Sequence, residues 1–91
     1  MAEAARIGNI IVPATTDTIL GPLHVQTIKV VGGAAGATVN LRDAANNVIV
    51  KIVVPNNGSE SLTFPCGLQL RSQSYNLQVA AGAADTYIYL V

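Results

Sequence analysis

Charged residues are scarce in this chain: Asp, Glu, Lys and Arg together make up 11% of its 91 residues, against roughly a quarter in an ordinary soluble domain. The five basic and five acidic side chains balance to a formal charge of zero. No electrostatic excess is left to draw the protein onto nucleic acid or an anionic membrane. Tryptophan is absent, Phe occurs once and Tyr three times, which is little for the aromatic stacking of a single-strand binder or a sugar groove. The single cysteine, Cys66, excludes an internal disulfide and any metal site built on paired cysteines. The single histidine, His24, has no second imidazole with which to share a metal, and no nucleophile stands at a recognisable motif. No apolar run reaches the ~18–20 residues of a membrane helix. Met1-Ala2-Glu3-Ala4-Ala5-Arg6 lacks the basic start and apolar run of a secretory signal, so synthesis in a cytoplasm is expected.

What the chain does have is short runs of Val, Ile and Thr, broken by Gly, Pro, Asn and Asp at intervals of about ten residues, the pattern of an all-β sandwich or barrel. Ninety-one residues suffice for one core. We therefore expect an all-β fold: a single small antiparallel β-sandwich, jelly-roll or Ig-like, of about eight short strands, with residues 1–5 as a short N-terminal tail and 6–91 as the domain. The strands are expected over Arg6–Val12, Val25–Val31, Ala37–Arg42, Val48–Val54, Ser61–Phe64, Leu68–Ser72, Tyr75–Ala80 and Thr86–Leu90. Turns are expected at Pro13 with Thr15-Thr16-Asp17, at Gly21-Pro22, at Gly32-Gly33 with Gly36, at Asn46-Asn47, at Pro55-Asn56-Asn57-Gly58 and at Pro65. The clearest unit is a hairpin that rises through Val39 and Leu41, turns between Asp43 and Asn47, and returns along Val48–Val54. The Gly-Ala runs, Gly32–Ala37 and Ala80–Ala84, read as loop or edge, because each glycine costs about 1 kcal/mol inside a helix.

Alternation along a strand separates its two faces. Val48, Val50, Ile52 and Val54 form one apolar face, while the opposite face carries Ile49, Lys51 and Val53. Ile88 and Leu90 point one way, and Tyr87, Tyr89 and Val91 the other. A two-layer sandwich covers only one face of each sheet. The outer side chains Ile49, Val53, Tyr87 and Tyr89 are therefore the candidate interface residues, where each large side chain covered adds about 1.5–3 kcal/mol before entropic costs. A homo-oligomer follows as the expected state.

The inventory for chemistry is thin. Cys66, in Phe64-Pro65-Cys66-Gly67, reads as a small buried hydrophobe, and His24 as a loop or strand-start residue. Glu3, Asp17, Asp43, Glu60 and Asp85 fall mostly at expected turns, where carboxylates bond nearby backbone. Gly32-Gly33-Ala34-Ala35-Gly36 is not closed by Lys-Ser/Thr or followed by a helix, and reads as a hairpin tip. Arg6, Lys29, Arg42, Lys51 and Arg71 are dispersed. We expect no enzyme, no cofactor and no metal: a protein that binds.

Five stretches set the layout of nearly the whole chain: Arg6-Ile7-Gly8-Asn9-Ile10, Thr27-Ile28-Lys29-Val30-Val31-Gly32-Gly33, the hairpin from Val39-Asn40-Leu41-Arg42-Asp43 to Val48-Ile49-Val50-Lys51, Gly67-Leu68-Gln69-Leu70, and Tyr87-Ile88-Tyr89-Leu90. On these residues the chain resembles the small β-sandwich virion proteins of tailed bacteriophages, in particular head-decoration or cement proteins. The resemblance implies a non-enzymatic structural subunit, with a homotrimer as the favoured oligomer. It implies binding to the assembled lattice of the major capsid protein on the capsid exterior, where the subunit stabilises the head. Some relatives carry a long N-terminal arm, which the short tail here does not match. Two alternatives stand beside it: a phage neck or tail structural component, and a small ligand-binding β-sandwich module for a carbohydrate.

Overall fold

The computed structural model describes residues 4–13 and 17–91. The Met1–Glu3 part of the expected tail, and Thr15-Thr16 of the first expected turn, lie outside the described residues. The strands are β1 (Ala5–Ile7), β2 (Ile10–Val12), β3 (Thr18–Leu20), β4 (Leu23–Asp43), β5 (Val48–Val54), β6 (Ser59–Leu70) and β7 (Ser74–Leu90). They form one antiparallel sheet in the order β1-β2-β7-β4-β5, with β3 added to β7 and β6 added to β4.

Three long paths build the sheet. β4 runs for 21 residues, and β7 lies antiparallel to it from Asp43↔Tyr75 through to Val25↔Leu90. On the other side of β4, β5 covers Ala37–Arg42 and β6 covers Leu23–Val31, so these two lie end to end, joined at Pro55–Gly58. All three paths bend at one corner. There the β4–β7 register jumps from Gly32↔Ala84 to Ala37↔Gly82, the Gly32 N–H donates to the Gly58 carbonyl at 3.0 Å, and the Asn57 N–H donates to the Gly33 carbonyl at 3.1 Å. Curling at that corner makes a half-barrel, whose two halves share one apolar cluster.

That core follows from alternation. Leu23, Val25, Ile28 and Val30 on the first half of β4 and Val39 and Leu41 on its second half are buried, as are Val50, Ile52 and Val54 on β5 and Tyr75, Leu77 and Ile88 on β7. Val25, Val30 and Ile88 are fully shielded, and each such side chain contributes about 1.5–3 kcal/mol from burial. The expected all-β antiparallel class is the one adopted, with the layers formed by two halves of one folded sheet.

The strand boundaries differ from those expected in instructive ways. Val25–Val31 and Ala37–Arg42 are a single strand, because the Gly32–Gly36 run is held in the sheet by the 55–58 turn; it is a corner and not a hairpin tip. Ser61–Phe64 and Leu68–Ser72 likewise merge into β6, and Tyr75–Ala80 and Thr86–Leu90 into β7. Arg6–Val12 is split into β1 and β2 by a turn at Gly8-Asn9. β3 has no counterpart among the expected strands. Ala4 and Ala5, placed in the tail, are structured: Ala4 is buried, its N–H donates to the Thr18 carbonyl at 2.8 Å, and β1 starts at Ala5.

The hairpin between β4 and β5 forms as expected. The Asp43 carboxylate accepts from the backbone N–H groups of Ala45 and Asn47, both at 2.9 Å, and Asn46 takes the left-handed conformation with φ 66°.

Candidate functional site

The corner places the four candidate interface residues on two different outer surfaces. Ile49 and Val53 belong to the outer side of β5, 39% and 61% exposed, with Lys51 exposed between them. Val53 stands opposite Thr38 and Lys51 opposite Asn40. Val48, expected on the inner face, is instead 53% exposed. The pairing shifts between Leu41↔Val50 and Arg42↔Val48, and this bulge turns Val48 outward.

Tyr87 and Tyr89 lie on the other half of the sheet and are half-buried. Tyr89 stands between Thr27 and Ile10, and Ile10 in turn pairs with Ile7, which is 72% exposed. Thr27 and Thr63 extend this row across β4 to β6, their hydroxyls 3.3 Å apart. Tyr87 faces Lys29. The β5 residues and the tyrosines are therefore two separate surfaces and not one patch.

Between Lys51 and the tyrosine surface, the outer face of the β5 half is polar. Asn40 donates from Nδ2 to Gln78 Oε1 at 3.1 Å, and Arg42 Nε donates to Asn76 Oδ1 at 2.8 Å. Asn76 Nδ2 reaches the Asp43 carbonyl and Asn46 Oδ1, each at 3.2 Å. These cross-strand pairs lock β4 to β7 next to the hairpin turn. Asn40 Oδ1 and Thr86 Oγ1 are buried without a partner.

The most open feature is an edge. Among the described residues, β5 and β6 each pair with β4 alone, so the whole Val48–Leu70 side of the sheet carries no further strand. Glu60 and Leu62 stand opposite the buried Val30 and Ile28, which puts both on the inner face. Both are nonetheless exposed, Leu62 to 39%. The inner face runs out of cover at β6.

The sequence places Lys51 on the outer face of β5 and Glu60 among the turn carboxylates, but neither they nor Leu62 stand among the expected interface residues. The available signal was Glu60, a charge alternating in phase with Leu62 and Phe64 at positions that a covered strand would fill with apolar side chains.

A shallow groove at one end of the sheet is lined by Pro22, Leu23, His24, Gln69, Leu70 and Arg71. His24, the second residue of β4, pairs with Gln69, and Arg71 donates to Gln69 Oε1 at 3.1 Å. The imidazole lies so close over Gly67 that a side chain there would force the His24 ring to move aside. A smaller cleft lies under β1, bounded by Ala4, Arg6, Ile11, Ile19 and Leu20.

Cys66 is exposed, which corrects the expectation of a buried thiol. Four residues of β6, from Phe64 to Gly67, oppose one residue of β4 between the Val25↔Leu68 and Thr27↔Thr63 pairs, and Gly67 has φ 75°. The chain leaves the ladder there and carries Cys66 outward. No group of three or more His, Cys, Asp or Glu side chains able to hold a metal occurs among the described residues.

The exposed surface totals 5109 Å², close to the ~5,000 Å² of a compact monomer of this mass. Surplus area therefore does not by itself argue for a partner; the unpaired backbone of the β5–β6 edge is the stronger feature. No family model, curated protein or solved structure matches the chain.

Proposed function

We propose that this protein is a structural assembly subunit that works by surface contact, of the head-decoration type its sequence resembles. In this reading it binds the assembled lattice of a phage major capsid protein from outside and stabilises the head. The observation that carries the reading is the free β5–β6 side of the sheet, flanked by the exposed Ile49 and Val53 and interrupted by few charges. A long edge of unmet N–H and C=O groups beside apolar side chains is suited to joining subunits, and natural monomers keep such edges short or covered.

A decoration subunit that binds only the mature lattice stabilises that state according to its free concentration and affinity, without being needed to build it. Particles produced without the protein should assemble, then release their contents at lower temperature than complete particles, and added protein should restore the difference. Failure of particles to form would move the protein to a neck, tail or shell component. Unchanged particle stability would overturn the decoration reading.

The His24–Gln69–Arg71 groove supports the ligand-binding alternative. It presents hydrogen-bonding groups, but no Trp, Tyr or Phe ring lines it, so a sugar would lack the broad stacking surface those rings provide. Glycan binding that is lost on Arg71→Ala would favour that reading.

A further inference from the structure

The two free edge strands carry complementary patterns. On β5 the outer side presents Lys51 and, two residues on, Val53; on β6 the inner side presents Glu60 and, two residues on, Leu62. All four side chains are exposed. Lys51 and Glu60 are the only charged residues of their strands: β5 reads Val-Ile-Val-Lys-Ile-Val-Val, and β6 reads Ser-Glu-Ser-Leu-Thr-Phe-Pro-Cys-Gly-Leu-Gln-Leu.

Pairing β5 centrally with another β5 brings Lys51 opposite Lys51, and parallel in-register pairing of β6 with another β6 brings Glu60 opposite Glu60, both unfavourable across strands. Pairing β5 with β6 brings opposite charges together. When the two strands run in the same direction, Lys51 lies opposite Glu60 and Val53 opposite Leu62 on one face.

We propose that copies of this chain associate head to tail, β5 of one against β6 of the next, through backbone pairing in the register that joins Lys51 to Glu60 and Val53 to Leu62. The occupant of the free edge is a second copy. Such a contact uses different surfaces on its two sides, so it closes into a ring or propagates as a filament and cannot end as a two-fold dimer. Pro65 and the excursion at Gly67 limit the pairing stretch of β6 to Ser59–Phe64, close in length to β5. This inference deepens the assembly reading and rests on it for its biological setting.

Inward-pointing or central charges on an edge also occur as guards that prevent strand pairing, and the two roles predict opposite outcomes. Light scattering across the micromolar range should give the wild type a mass of several chains, growing with concentration. Lys51→Glu and Glu60→Lys should each weaken association about tenfold, and the double exchange should restore most of it. Circular dichroism and urea midpoints would show that each variant still folds.

The proposal fails if the wild type stays monomeric throughout the range. It fails equally if Lys51→Ala or Glu60→Ala increases association, which would make these charges guards, or if the double exchange restores nothing. Loss of particle stabilisation is measured separately, so a monomer that still stabilises particles would overturn the head-to-tail contact alone.

Discussion

Gly82 is packed so closely against Gly36 that a Cβ built on Gly82 would overlap the Gly36 carbonyl oxygen. Both residues are left-handed, with φ of 72° and 71°, and they meet where β4 and β7 bend together. The half-barrel depends on this contact, because the corner brings the two halves of the sheet over one core.

Gly82→Ala should therefore be among the most damaging single substitutions, costing at least about 2 kcal/mol from the left-handed backbone and the overlap together. Gly8→Ala is the control: φ is 57°, but nothing lies within 4 Å of an added Cβ, so only the backbone cost of about 1 kcal/mol applies. Urea unfolding of both variants measures the difference. Equal losses would show that the close approach at the corner carries no energy of its own.

Period-two alternation made β5 and the ends of β4 and β7 legible in the sequence, since Ile52, Val54 and Ile88 are buried while Val53 is exposed. The continuity of β4 was not legible. Gly32–Gly36 has neither β-branched side chains nor alternation, and what keeps it in the sheet is hydrogen bonding to Asn57 and Gly58, more than twenty positions away. The same limit hid the exposure of Cys66. In an unbroken strand it would share a face with Phe64 and Leu68, but the excursion through Gly67 breaks that phase. The outward exposure of Ile49 and Val53 was legible from the face opposite Ile52. The separation of the tyrosines from them depends on the corner, a tertiary feature.

Tyr75 is 3% exposed, and its hydroxyl accepts a hydrogen bond from the Ser72 N–H at 2.7 Å. The same loop is tied by the Gly21 N–H to the Gln73 carbonyl at 2.9 Å. Tyr75→Phe keeps the ring in the core but leaves the Ser72 N–H without that acceptor, so stability should fall by about 1 kcal/mol. A urea midpoint equal to that of the wild type would mean that water replaces the hydroxyl at no cost.

Cys66 should react with thiol reagents in the folded protein nearly as fast as in denaturant, since it is exposed on the free side of the sheet. Labelling followed by mass spectrometry, with and without urea, gives the ratio of rates. Strong protection in a monomeric sample would show that the β6 excursion packs inward in solution.

The Asp43 carboxyl is held below its usual value of 3.8, chiefly by the hydrogen bond from the Asn47 backbone N–H, with desolvation opposing it as the next largest effect. The Asn47 side-chain amide, bonded to Oδ2 at 3.2 Å, and the Ala45 N–H lower it further. A carboxyl whose folded pKa is depressed binds its proton more readily in the unfolded chain. Its contribution to stability is therefore present above the unfolded value and is lost as pH falls through the folded value. The hairpin turn that sets the β4–β5 register should thus weaken below about pH 4. Comparing urea midpoints at pH 6 and pH 3 for the wild type and Asp43→Asn isolates this residue. The asparagine variant should be less stable at pH 6, because a neutral amide oxygen accepts these bonds less strongly, and it should lose less on acidification. Identical pH profiles for the two proteins would assign the acid sensitivity to other carboxyls and leave the Asp43 turn as a geometric feature without electrostatic weight.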